Sequence, residues 1–465
     1  MRHFVSLGVA ALLSVSCAPA VAPQTLETPV AAPTSTAPPP TSATPTAPSP
    51  SSKEQALQAK LQDALDYVSQ IRQLPAKSAV NGRLIGRSEI QQYISAQLDE
   101  EIPPDLLQAT EALLYGLGTV DADFDYRASV IALMSSQLLG FYDPKQKTFF
   151  VGGDLGGEEA DVTLWHELVH ALQDQHYDLS KLTDWQPDLG DSQAAVHALA
   201  EGDATSAMLD AMLKPRGGSA LELPEGLMSA QSVLGSATSA APPVLVRSLL
   251  APYVDGLAFT NYLRRRGGFA AVDEAWRTPP VSTEQLLHPE KFLAHEAPMV
   301  VPLPPGPAHA PQLKERFHDV MGEQTVRLLL EEWLPARTAA EAASDWGGDR
   351  LSVFADDARK QWAVGWHVRF DSPASAERAF IAFARSLPMT ERPRPTGTAP
   401  DSPAAAKRFR DKVCRPRHGQ GAIALVRRGA DLAVTAGPFE RNPAQVAADP
   451  GCAAALAWAE KLATN

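Results

Sequence analysis

His170 follows His166 by four positions, with Glu167 beside the first, and this spacing narrows the folds open to the chain more than any other feature. On an α-helix, positions i and i+4 lie about 40° apart round the axis, so both imidazoles leave one face, one above the other. Two ring nitrogens stacked in this way suit a single Zn²⁺. Glu167, about 100° round from His166, can then reach a water beside the ion without being a ligand. Leu164, Leu168, Val169 and Leu172 surround the motif with apolar surface, as a buried helix requires. The fold must therefore bury this helix and bring a third donor to it from elsewhere. The plainer reading is an amphipathic helix with two surface histidines.

Two residues compete as third donor. His176 follows His170 by six, the spacing of an HExxHxxGxxH pattern, but Gln173 stands where that pattern needs a chain-reversing glycine. If the helix continues, His176 lies about 240° round from His170 and faces away. Glu201 sits on a second predicted helix, Ser192–Lys214, on a face with Ala194, His197, Ala198, Ala204, Thr205 and Met208. Such small residues let two helices approach closely, and a carboxylate buried there is costly unless paired or bound to a cation. Glu201 is the expected ligand. A glutamate on a solvated stripe is the alternative.

The first 52 residues point to export. Arg2 and His3 precede an apolar stretch from Phe4 to Val15, too short to span a bilayer, and no later segment reaches the roughly 18 apolar residues a membrane helix needs. The stretch runs into Cys17 through a sequence resembling the bacterial lipoprotein cleavage box, with Leu13 one place off and Ser14 in the usual leucine position. Residues 1–17 are thus expected to be a lipoprotein signal, with Cys17 lipidated and the protein held at the envelope membrane. Cleavage after Ala20, giving a soluble secreted protein, is the runner-up. Residues 18–52 are rich in Pro, Ala, Ser and Thr, cannot bury a core, and read as a tether. Of three cysteines, Cys414 and Cys452 remain, and in an exported chain they are expected to form one disulfide, two buried thiols being the alternative. A net charge of −13 leaves no basic surplus for nucleic acid, and Arg264–Arg266 reads as a solvated helix end.

The fold class expected is α+β. Residues 53–338 are read as a mostly helical body. Leu57, Leu61, Leu65, Val68 and Ile71 recur at helical spacing, Ser88 with Gln91 reads as a capping box, Pro103–Pro104 opens a helix, and Arg127–Leu139 forms another. The period changes at Phe141–Tyr142 and Thr148–Val151, which flank a turn at Asp143–Lys145 and read as a β-hairpin. That hairpin is expected either to hold an extended peptide by main-chain pairing or merely to cover the core. Pro243–Arg266 is a third long helix, 267–310 is irregular, and Gln312–Leu334 is helical again. Residues 339–465 are read as a C-terminal lobe with strands at Leu351–Phe354, Trp362–Phe370, Ala422–Val426 and Leu432–Ala436, and a helix from Pro373 to Leu387 after the second. This β-β-α-β-β order implies a small antiparallel sheet with a helix on one face.

Several blocks together carry a resemblance: Gly140–Pro144, His166–Asp178, Ala200–Ala204, Pro279–Lys291 and Trp346–Arg350. They resemble a bacterial family of exported zinc metallopeptidases of gluzincin type, over roughly residues 135 to 440. The resemblance implies one Zn²⁺ on His166, His170 and Glu201, Glu167 as general base, and a peptide or protein substrate. Tyr253 and His288 are the candidate donors to the oxyanion, though a helix-anchoring Tyr or a helix-capping His explains each equally well. Asp174 and Asp203 are expected to orient ligand imidazoles. The competing class is a catalytically idle envelope lipoprotein with a structural zinc and a partner-binding lobe. Hydrolysis of a non-peptide amide is a third reading.

Overall fold

The computed structural model describes residues 52–102, 104–138, 140–152, 157–179, 186–224, 241–386, 411–416, 421–441 and 451–464. The expected signal 1–17 with its Cys17, and the tether up to residue 51, lie outside these. The fold is α+β. None of the described helices is long and apolar enough to cross a membrane.

The first part runs α1 (Ser52–Arg72), β1 (Asn81–Ile85), α2 (Arg87–Glu101), α3 (Pro104–Leu117), α4 (Tyr126–Gln137), β2 (Gly140–Asp143) and β3 (Thr148–Gly152). β2 and β3 form the expected antiparallel hairpin, and the Asp143 carboxylate holds its turn by accepting from Lys145 N and Gln146 N. β1 corrects the all-helical reading of 54–140. It pairs parallel with β3, giving the order β1-β3-β2. Its five residues are mostly exposed and its partner lies more than sixty residues on, so no local alternation betrays it. The cap of α2 also differs from expectation: Glu89 Oε2 accepts from Gly86 N at 2.8 Å, in place of a Ser88–Gln91 box.

This small sheet separates two cores, because side chains alternate across a strand. Phe141 and Phe150 point into a cluster with α2, α3 and α4. Tyr142, Phe149 and Val151 point into the other, with Leu61 and Val68 of α1 and the apolar face of α5 (Gly157–Tyr177). The second core also receives α6 (Gly190–Leu213) and α7 (Pro243–Arg277). α7 is broken at Gly267 and Gly268; the latter has φ +64°, a left-handed value that glycine adopts freely. The expected end at Arg266 is thus the end of its first segment. The stretch 267–310 is less irregular than expected, since it carries the rest of α7 and the short helices α8 (Thr283–Leu287) and α9 (Pro289–Leu293).

A six-stranded antiparallel sheet follows, from β4 (Lys314–Asp319), β5 (Trp346–Asp356), β6 (Gln361–Phe370), β7 (Lys412–Pro416), β8 (Ala422–Arg428) and β9 (Asp431–Phe439), in the order β4-β5-β6-β9-β8-β7. Between β4 and β5 lie α10 (Gly322–Leu330) and α11 (Ala336–Ala343); α12 (Pro373–Ser386) and α13 (Gly451–Leu462) complete the lobe. β4 corrects the reading of Gln312–Leu334 as one helix and extends the sheet upstream of residue 339. β4 and β7 are the two edge strands, and edge strands bury little: of β4 only Phe317 and Asp319 are buried. The helical stripe of Val326, Leu329 and Leu330 in α10 dominates the same window.

Alternation sorts this sheet too. Val364, Trp366 and Val368 of β6 face α12 and share one core with α3, where Gly116 packs against Phe439. The opposite face, with Ala363, Ala424 and Ala433, is covered by Trp458 and Leu462 of α13. The lobe is therefore docked on the helical body through a common core. Cys414 on β7 and Cys452 on α13 form a disulfide across a separation of 38 residues. Replacing both by serine is expected to lower stability by about 3–4 kcal/mol through the freed loop entropy, measured by urea unfolding. A loss below about 0.5 kcal/mol would show that α13 is held by packing alone.

Candidate metal centre

α5 presents His166 and His170 one turn apart, and α6 crosses it so that Glu201 meets both. His166 Nε2 lies 3.1 Å from Glu201 Oε2, His170 Nε2 lies 3.1 Å from His166 Nε2, and His170 Nε2 lies 3.4 Å from Glu201 Oε2. The three atoms form a nearly regular triangle. A tetrahedral ion with bonds of about 2.0–2.1 Å has edges of about 3.3–3.4 Å. The donor set therefore fits a zinc-sized ion on three corners and supplies no fourth protein donor among the described residues. His166, Glu167, His170 and Glu201 are 2 %, 0 %, 5 % and 0 % exposed, so the motif helix is a core helix rather than a surface one.

What surrounds the cluster was only partly legible. His170 Nδ1 donates to Gln173 Oε1 at 2.8 Å, which turns Nε2 towards Glu201. The amide orientation of Gln173 is fixed in turn, because its Nε2 donates to Ala200 O at 3.0 Å and to Asp203 Oδ2 at 3.1 Å. Asp203 also accepts from Trp276 Nε1 and from the fully buried Arg72 of α1. Asp203 thus steadies His170 through Gln173, not directly as expected. The residue that spoils the glycine pattern is the one that orients the imidazole.

Asp174 takes no part in this. It accepts from Tyr142 Oη at 2.8 Å, Lys147 Nζ at 2.6 Å and Leu179 N, and contacts neither imidazole. His176 points away, its Nε2 2.8 Å from Pro75 O, as the continuing helix requires. Glu167 Oε2 accepts from Tyr142 N at 2.9 Å. That N–H lies on the side of β2 away from β3, and all four β2 residues are buried. The Tyr142 N–H on that edge is therefore taken by Glu167 in this arrangement.

The two candidate oxyanion donors part company. Tyr253 on α7 stacks on His166, with ring centroids 5.8 Å apart. His288 instead joins α8 to α9; its Nε2 bonds Glu323 Oε1 at 2.9 Å and its Nδ1 lies 3.8 Å from Glu290, and neither contact reaches the cluster. It anchors a helix junction. The block around it is structural as well: Ser282 caps α8 and Thr283 ties Asp191 of α6. In the Trp346–Arg350 block, Asp349 gathers Trp346 Nε1, Trp366 Nε1 and the amides of Met321 and Gly322. A further trio of carboxylates, Glu284, Glu296 and Asp371, is filled by Lys291 Nζ, 2.7 Å from each.

Charge in the cluster is shared. Burial lowers the His166 pKa. Burial also pulls His170 down, but the Glu201 carboxylate outweighs it and raises that ring to about 9. Burial alone would raise Glu201, yet the imidazoles hold it well below the usual carboxylate range. The carboxylate thus favours a proton on the neighbouring imidazole, and a divalent ion held by the same donors would displace that proton.

Close helix approach makes the geometry possible. A Cβ at Gly202 would lie 2.0 Å from Gly256 C, and one at Gly256 would lie 1.9 Å from Ala198 O, so α6 and α7 touch backbone to backbone. Gly256→Ala is expected to cost about 3 kcal/mol by forcing the helices apart and to lower metal occupancy with it. Chemical denaturation and metal analysis check both. Unchanged stability would mean the helices are not in contact here.

Fold and site together define an α+β protein with a buried His₂Glu cluster on crossed helices. Residues 311–446 match a domain of unknown function (DUF8575), which covers the sheet from β4 to β9 and leaves the cluster outside. No curated protein and no solved structure matches the chain.

Proposed function

We propose that this chain is a zinc-dependent hydrolase of amide bonds in peptides or proteins, exported and held at the cell envelope by a lipid on Cys17. One observation carries the reading: three donor atoms spaced 3.1, 3.1 and 3.4 Å apart, with an acid one residue after the first of them that is not part of the triangle. A zinc ion there would polarise the scissile carbonyl and acidify the attacking water. Glu167, held at Oε2 by Tyr142 N, accepts the water proton and delivers it to the leaving amine as the C–N bond breaks and a carboxylate forms. His170 is kept in register by Gln173 throughout. Tyr253, stacked on His166, is the residue assigned to the oxyanion. The lipid anchor rests on the leader and on Cys17, and Cys17→Ser is expected to release the protein from the membrane fraction.

A second reading, an idle lipoprotein with a structural zinc and a partner-binding lobe, is favoured by the burial of all four side chains. Structural zinc sites, however, are closed by four protein donors, and the described residues bring three together. Incubating the full chain with a casein and a broad peptide library decides between them. Hydrolysis lost to a chelator and restored by zinc is expected; a zinc-loaded chain that cleaves nothing favours the second reading.

A further inference from the structure

We propose that His197 is a positioning residue: it takes one oxygen of Glu201 out of reach of the metal, so that this ligand binds through a single atom and a coordination position stays open. The inference rests on the zinc reading above and adds a residue that neither the motif nor the family match points to.

The carboxylate of Glu201 is divided. Oε2 faces His166 Nε2 at 3.1 Å and His170 Nε2 at 3.4 Å, while Oε1 lies 3.2 Å from His197 Nε2. His197 precedes Glu201 by one turn of α6, so the ring and the acid share a helix face. A carboxylate only accepts, so His197 Nε2 must carry the proton, and the neutral ring then has a bare Nδ1. That Nδ1 is buried with no hydrogen-bond partner among the described residues, in a side chain 9 % exposed. Among the described residues the ring's polar bond thus goes to the oxygen of Glu201 that does not face the other two donors. Carboxylates bind cations through one oxygen or two, and an N–H on Oε1 competes with the second bond. Three protein donors with a solvent-held fourth corner is the catalytic arrangement, and a two-oxygen Glu201 would fill that corner. His197 acts only through Glu201; it neither binds the ion nor touches a substrate.

Cobalt is the probe, because its visible absorption reports coordination number. The full chain is stripped, reconstituted with Co²⁺ and compared with His197→Phe and His197→Gln. The wild type is expected to give the intense bands of a four-coordinate ion. His197→Phe, of similar volume and without a donor, is expected to keep one Co²⁺ per chain while the bands weaken several-fold. His197→Gln, whose amide can donate to Oε1, is expected to restore them. A His197→Phe spectrum superimposable on wild type overturns the inference. A second measurement needs no variant: nitrogen NMR of the zinc-loaded wild type is expected to show His197 protonated at Nε2, and protonation at Nδ1 overturns it. If the wild type takes up neither Co²⁺ nor Zn²⁺, the zinc reading itself fails; an unchanged spectrum in a metal-loaded variant sinks only the role of His197.

Discussion

Glu201→Ala is expected to bring zinc content below a tenth of one ion per chain at micromolar zinc, with the protein still folded. Groups that merely orient a ligand are worth about 10–100-fold in metal affinity, so losing one of three ligands should cost more than about 100-fold. The loss is specific because Glu201 alone comes from α6, and His166 and His170 then share the ion with no anionic partner. The fold should survive: the side chain leaves a cavity among small residues, and Gln173 still ties α5 to Ala200 O and Asp203 on α6. Zinc analysis and a thermal melt of the same sample check the two halves. Unchanged occupancy would reject Glu201 as a ligand, whatever the activity.

Glu167→Gln is expected to do the reverse, keeping the ion and losing the chemistry. Glutamine preserves the shape and an oxygen that accepts from Tyr142 N, so the helix and the ligand triangle should be undisturbed. It cannot take a proton from water. General base catalysis is worth about 10²–10⁴-fold, and peptide hydrolysis by the zinc-loaded variant should fall at least that far. Hydrolysis within tenfold of wild type at equal zinc content would show that the acid beside the motif is not the base.

Much of the site was legible because its logic is local. The i, i+4 imidazoles need only helical periodicity, and the small residues flanking Glu201 signalled a close helix crossing that Gly202 and Gly256 complete. The i, i+4 pairing of His197 with Glu201 was visible in the same way, but nothing in one helix says which oxygen the ring will take. Gln173 was misjudged because it was weighed only against the glycine it replaces. Asp174 and His288 went to other partners, Tyr142 and Glu323, that lie far off in sequence. The fold shows the same division. Long helices and the hairpin follow from periodicity. β1, β4 and β7 are edge strands, and what makes them strands is a partner elsewhere: β3 for β1, β5 for β4 and β8 for β7.

The most direct test of the account is zinc X-ray absorption on the purified full chain. Two imidazole nitrogens and one carboxylate oxygen at about 2.0–2.1 Å, with one further light donor and no sulfur, are predicted at one zinc per chain. A chain that stays metal-free after zinc-replete purification, or an ion whose neighbours include fewer than two imidazoles, would contradict it.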